Sequence, residues 1–283
     1  MRSFLIPVAV ASTLVGVGGT LSRARLALPT VPASAGVAEP AVRVEPQRAA
    51  SSPVGGGGVR AEGPAARVES ALAALAGRVR TLSHPEALRR AFQAYYGYAA
   101  AHPEQVRKPY LYFVDYGLDS RTPRGYVFDM RALTVVDGPF TVAHGRGSSA
   151  ARAGVPMRFS NRNGSAATSL GLFLAQETYA FSGTAGGQRY RSLGLRLRGL
   201  SGRFNSAART RGVVVHGAPY VTRLLAGRSE GCPAMEQSRA QRLLPRLANG
   251  GLVFLFSPHD ESWLRDDPWS QDSYLRQLLD RAR

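Results

Sequence analysis

Cys232 is the only cysteine in this chain of 283 residues, and it lies in Ser229-Glu230-Gly231-Cys232-Pro233, downstream of an apolar run that closes on His216-Gly217. A thiol beside glycine with an imidazole upstream is a pairing suited to attack on an acyl carbon. The thiolate is the nucleophile, and a free cysteine, with a pKa of about 8.5, is mostly protonated at neutral pH. A neighbouring imidazole supplies what is missing, holding the thiolate as an ion pair and later handing a proton to the leaving amine. A lone cysteine is more commonly a small core hydrophobe, but Ser229, Gly231 and His216 favour the reactive reading. His144, in Val142-Ala143-His144-Gly145-Arg146-Gly147, either lines the same cleft or braces that turn. Ser229 either touches substrate or ties the loop by a local hydrogen bond, and Tyr220 reads equally as a cleft wall and as a core aromatic.

Other chemistries lack their residues. His144, His216 and His259 are scattered, with no close histidine or cysteine pair of the kind zinc sites use, so no metal and no cofactor are expected. No G-x-S-x-G turn is present for a serine nucleophile. Asp115, Ser120 and Asp129 read as turn and strand-end residues.

The elements that must position the pair are mainly strands. Residues 111–114, 126–128, 133–136 and 140–143 are short apolar or β-branched runs, with Asp137-Gly138-Pro139 as a turn between the last two. Leu193, Leu195 and Leu197 alternate with Gly194, Arg196 and Arg198, the two-residue period of a strand with one wet face. Residues 213–215 and 252–256 are apolar enough to be buried on both faces, and a helix over 236–247, distorted by Pro245 and stopped by Asn249-Gly250-Gly251, lies between them. Upstream, Val68, Leu72, Leu75, Val79 and Leu82 are spaced for an amphipathic helix. Ser83 and Glu86 form a capping-box pattern before a second helix bearing Leu88, Phe92, Tyr95 and Ala99. The expected organisation is a signal or anchor over 1–35, a flexible tether over 36–65, a helical hairpin over 66–108, a mainly β domain over 109–262 and a helical tail over 263–283.

Residues 1–3 are basic and polar and residues 4–17 almost wholly apolar, the pattern of an export signal, with Ala33-Ser34-Ala35 as a cleavage candidate. Export to a periplasm, wall or medium is expected, with membrane contact only through this segment if it is retained. One cysteine allows no intrachain disulfide, so the fold must rest on its core. The formal net charge is +17, nearly all of it arginine, since Lys108 is the only lysine. Dispersed arginines read as compositional bias, with affinity for anionic envelope polymers as the functional alternative. No nucleic-acid motif accompanies them, and nucleic acid is not an expected partner.

Taken in order, the His144-Gly145-Arg146-Gly147-Ser148 block, Phe159-Ser160-Asn161 leading to Ser169-Leu170-Gly171, the 205–211 segment, and His216-Gly217 with Ser229-Glu230-Gly231-Cys232-Pro233 resemble the murein L,D-transpeptidase catalytic domain family, a divergent branch of the YkuD-type cysteine transpeptidases. The resemblance covers about residues 110–258. It implies a YkuD-like β-sandwich or barrel carrying a helical hairpin and peripheral helices. It also implies Cys232 as nucleophile, His216 as base, the Gly217 carbonyl as the group orienting the ring, and peptidoglycan stem peptides as partners. The backbone N–H groups of Gly231 and Cys232 are the expected oxyanion donors. Cys232 would acylate itself with a stem tetrapeptide and pass the acyl group to an amine, giving a 3→3 crosslink, a reaction carbapenems target. The alternatives are an L,D-carboxypeptidase that passes it to water and a wall-binding protein without catalysis. Two positions depart from the family pattern. Glu230 stands where a histidine is common, and Pro233-Ala234-Met235 occupies the stretch that elsewhere carries an arginine, for which Arg228 and Arg146 are the candidate replacements in binding substrate.

Overall fold

The computed structural model describes residues 62–149 and 154–271. The expected export signal, most of the tether and the end of the tail lie outside the described residues. In chain order the elements are α1 (Pro64–Leu75), α2 (Ala87–Ala101), β1 (Tyr110–Asp115), β2 (Gly125–Asp129), β3 (Thr134–Phe140), β4 (His144–Gly145), β5 (Gly171–Ala185), β6 (Gln188–Gly199), β7 (Val214–Gly217), β8 (Arg228–Ser229), β9 (Ala234–Met235), α3 (Gln237–Leu247), β10 (Leu252–Phe256) and α4 (Glu261–Asp266).

Eight strands make one mixed sheet in the order β3-β2-β1-β10-β5-β6-β7-β9, and β4 pairs with β8 in a separate two-stranded parallel ladder. The uninterrupted apolar sequence Leu252-Val253-Phe254-Leu255-Phe256 places β10 inside the sheet, parallel to β1 and antiparallel to β5, with every residue buried. Such runs suit a strand covered on both faces. On one side α2 contributes Leu88, Ala91 and Phe92 to the core, Phe92 meeting Phe128 edge-on at 5.6 Å. Full burial of a side chain of this size is worth about 1.5–3 kcal/mol.

Four local expectations are corrected. Residues 134–140 form one strand with a register irregularity opposite β2, so Asp137-Gly138-Pro139 is a kink inside β3 and not a turn between two strands. The edge position of β3 explains why proline, which cannot donate to a ladder, is accommodated there. The capping box does not form. Ser83 instead donates its amide and hydroxyl to the Asp115 carboxylate, at 2.7 and 2.6 Å, and Glu86 N–H donates to His84 Nδ1. Helix α1 stops at Leu75, so Val79 and Leu82 pack on the core from non-helical chain. Of the expected helical tail, the described part is helical only to Asp266, where α4 ends, and residues 267–271 are not helical.

The long hairpin β5–β6 reverses at Gly186-Gly187, both at positive φ (55° and 78°), the conformation a two-residue hairpin turn demands. Its β6 arm pairs with β7, with Gly194 opposite His216. This pairing is what carries the sheet to the candidate site.

Candidate active site

Two short parallel ladders hold the cysteine loop at both ends. Before it, β8 pairs with β4 in the register His144↔Arg228 and Gly145↔Ser229. After it, β9 pairs with β7 in the register His216↔Ala234 and Gly217↔Met235, and His216 N–H donates to the Pro233 carbonyl at 3.3 Å. Residues 230–233 therefore bridge a strand fixed to His144 and a strand fixed to His216.

Within the loop, Ser229 Oγ donates to the Cys232 carbonyl at 2.6 Å and accepts from Gly231 N–H at 3.2 Å. Gly231 adopts φ +118°, and a Cβ there would lie 2.9 Å from the Ala167 carbonyl oxygen, so both backbone geometry and space require glycine. Ser229 thus acts as the internal tie of the loop. The Gly231 N–H expected to serve as an oxyanion donor is already engaged by it, whereas Cys232 N–H has no protein acceptor among the described residues.

His216 is 3 % exposed and its ring is held on three sides. Nδ1 lies 3.1 Å from the Gly217 carbonyl oxygen, and Phe181 stacks on the ring at 4.2 Å between centroids. Tyr190 Oη approaches Nδ1 at 3.5 Å and Tyr220 stands edge-on at 6.4 Å. A carbonyl only accepts, so Nδ1 carries the proton and Nε2 bears the free lone pair. Burial lowers the pKa of the ring to about 4, against the opposing effect of the Gly217 hydrogen bond, so the imidazole is neutral near pH 7.

The Cys232 side chain is half-buried, and its sulfur sits 3.9 Å from the Gly212 carbonyl oxygen. Burial pushes the thiol pKa up and Glu230 adds to the rise, while the Val214 amide and Arg211 bring it down. Among the described residues no hydrogen bond joins the sulfur to the His216 ring. The thiol and the imidazole are both neutral at rest, which differs from the expected ion pair because burial disfavours charge on both groups.

A sequence profile described as the L,D-transpeptidase catalytic domain matches residues 80–256. The chain belongs to the L,D-transpeptidase catalytic domain family. Solved structures similar to this chain include an L,D-transpeptidase from Mycobacterium smegmatis (14 % identity, TM-score 0.32, 52 % of this chain and 58 % of that one). Others are one from Mycobacterium tuberculosis (17 %, 0.30, 52 % and 57 %) and one from Stackebrandtia nassauensis (14 %, 0.33, 69 % and 92 %). The match thus spans less than two thirds of the two mycobacterial chains. No curated protein matches the sequence.

Around the candidate site of this L,D-transpeptidase family member the remaining expected residues separate into two groups. Tyr220 lies beside His216 and packs with Tyr190 on a small apolar cluster that includes Ala143, Val221 and Ala234. His144, Arg228 and Arg146 are occupied elsewhere. His144 is fully buried, its Nδ1 receiving a hydrogen bond from Arg124 at 2.9 Å and its Nε2 lying 3.5 Å from Ser149 Oγ, so it braces the interior and offers no face to substrate. Arg228 donates to Ser149 Oγ, Ser120 Oγ and the Ala226 carbonyl, which makes it a fastening of β8. Arg146 is exposed and paired with Glu230 at 2.7 Å.

Three contributors were given no role in the sequence reading. Phe181 and Tyr190 reach His216 only through the β5–β6 hairpin, whose Gly186-Gly187 between alternating residues was the available signal. Arg211 donates to the Ser160 carbonyl, Ser169 Oγ, Ser165 Oγ and the Ala167 carbonyl, which stitches the 160–169 segment to the rear of the cysteine loop.

Proposed function

We propose that this protein is an exported peptidoglycan L,D-transpeptidase in which Cys232 is the nucleophile and His216 the base. The observation that carries the reading is the imidazole at the end of β7. Its Nδ1–H is fixed by the Gly217 carbonyl, leaving Nε2 free on a strand whose ladder partner, β9, begins two residues after Cys232. The family match supports the reaction class, and the basic-then-apolar N-terminal stretch supports export.

In this reading the proton on Sγ passes to His216 Nε2 as the sulfur adds to the carbonyl carbon of the third-position residue of a stem tetrapeptide. The oxyanion so formed meets the free Cys232 N–H. The C–N bond to the terminal D-alanine then breaks, the leaving amine takes the proton from His216, and a thioester remains. An amine of a second stem attacks the thioester, gives its proton to His216, and the thiol is restored as the new amide departs. Anionic envelope polymers are further partners favoured by the charge of +17.

The test is acylation by a carbapenem followed by intact mass. One adduct is expected on the wild-type protein and none on Cys232→Ala. An adduct that persists in Cys232→Ala, or none on the wild type, overturns the reading. Incubation with defined tetrapeptide muropeptides then separates crosslinked dimers from the tripeptide product of a carboxypeptidase.

A further inference from the structure

Arg211 is a partly buried cation without an acidic partner. Its four terminal N–H groups are taken by neutral oxygens, two carbonyls and two serine hydroxyls, at 2.6–3.1 Å. Among the described residues no carboxylate lies within ion-pair distance of it. A guanidinium whose forked donors are already used is poorly placed to clamp a carboxylate in the usual bidentate manner. What it has left to offer is charge.

That charge is delivered toward the sulfur. Gly212, the residue after Arg211, contributes the carbonyl that lies 3.9 Å from Cys232 Sγ. On the other side, the Ala167 carbonyl that accepts from Arg211 Nη2 is the same one against which Gly231 packs. Arg211 and the thiol are thus linked along two short routes, one through the chain and one through the loop. The electrostatic coupling is mutual, with the guanidinium lowering the pKa of the thiol and the thiolate raising that of the guanidinium. The pKa of the His216 ring, by contrast, is governed by burial and by Gly217.

The other groups that face the sulfur do not supply this charge. Tyr116, Tyr179, Tyr190 and Tyr220 all have pKa values raised first by burial and are neutral at physiological pH. Glu230 works in the opposite direction, raising the thiol pKa, and His216 is neutral at rest. The Val214 amide contributes a dipole to the anion but no net charge.

We propose that Arg211 is the counter-cation of the Cys232 thiolate, a positioning residue that acts through the sulfur and tips the thiol–imidazole pair toward thiolate and imidazolium when the proton moves to His216. This rests on the reading of Cys232 as nucleophile. It explains how a site lacking the arginine expected after the cysteine still carries a positive charge. That charge enters from the segment before β7, not from the loop after the thiol.

The experiment is the pH dependence of Cys232 alkylation by iodoacetamide, read by intact mass for wild type, Arg211→Gln and Arg211→Lys. Gln keeps an amide donor for the serine-rich segment and removes the charge, while Lys keeps the charge and loses the fork. Arg211→Gln is expected to move the alkylation midpoint up by about one unit, an approximately tenfold slower reaction below it, and Arg211→Lys to stay within about threefold of wild type. Coincident wild-type and Arg211→Gln curves overturn the proposal. So does an Arg211→Lys curve displaced as far as expected for Gln, which is the decisive arm if the Gln variant fails to fold. The readout follows the thiol itself, so it is independent of whether a carbapenem acylates the protein.

Discussion

His144 and His216 are both buried at strand ends, both flank the cysteine loop through a parallel ladder, and both are neutral near pH 7, yet their ring nitrogens meet opposite kinds of partner. At His144 the partner of Nδ1 is the Arg124 guanidinium, which only donates, so that nitrogen carries the lone pair and Nε2 the proton. At His216 the partner is a carbonyl, which only accepts, and the tautomer is reversed. The ring at 144 is enclosed by two guanidiniums and a serine, whereas the ring at 216 is walled by aromatic side chains and has one nitrogen without a hydrogen-bond partner among the described residues. Burial alone therefore does not mark a catalytic histidine. The partner of the first nitrogen decides what the second can do.

The largest expected effect tests that distinction. If His216 is the base as proposed, His216→Gln is expected to slow carbapenem acylation about 10²–10⁴-fold, the usual worth of a positioned general acid–base group. His144→Gln can still accept from Arg124 and donate to Ser149, and is expected to retain activity within about tenfold, the scale of one altered hydrogen bond. Stopped-flow acylation rates on folded variants check both. Equal losses at the two positions would break the comparison.

The two histidines also show what the sequence could reveal. The runs that became β1, β7 and β10 and the alternation of β6 are local properties and were legible residue by residue, as were the residue types at 216 and 232 and the Gly217 carbonyl against the His216 ring. What was not legible depends on contacts across long stretches of chain. Arg124 is one of two arginines in a turn-like sequence, the other being Arg121, and only the fold buries it beside Val142 and His144. Arg211 is fastened by residues more than forty positions earlier. Ser83 with Glu86 satisfied a capping pattern, but the buried Asp115 carboxylate was a stronger partner for the Ser83 hydroxyl than a backbone amide. In each case the residue type was visible and its competitor for hydrogen bonds was not.

Acid titration sharpens the comparison further. The His144 pKa is lowered to about 2 by burial and by the charges of Arg124 and Arg228, and that of His216 to about 4 by burial, against about 6.5 in the unfolded chain. Both rings refuse protons that the unfolded chain accepts, so stability falls as pH drops from about 6.5. His216 stops contributing to this fall below about 4, and His144 continues to about 2. Replacing either ring by Gln is expected to flatten the pH dependence of the unfolding free energy by about 1.4 kcal/mol per pH unit between these limits. Below pH 4 only His144→Gln still differs from wild type in slope. Urea midpoints over pH 3–7 measure it. Coincident wild-type and His144→Gln slopes would mean that the ring at 144 takes up a proton in the folded protein and that the Arg124 contact does not hold it neutral.

The smallest effect is expected at the outer rim. Arg146 follows the β4 strand that His144 opens, and it meets Glu230 beside the thiol with side chains 66 % and 72 % exposed. An ion pair this open to water gains little attraction over solvation and is screened by salt. Arg146→Gln is expected to leave the melting temperature unchanged within error. It should leave the acylation rate within about twofold of wild type, with any residual difference disappearing at high salt. The informative alternative is a raised KM for tetrapeptide substrate at unchanged kcat that persists at high salt. That pattern would mean that Arg146 leaves Glu230 to hold a substrate carboxylate, and the rim would then belong with His216 and not with the bracing around His144. Measuring KM and kcat for Arg146→Gln and Glu230→Gln together separates the outcomes. Loss of a substrate contact appears only in the arginine variant, whereas loss of a mutual ion pair affects both alike.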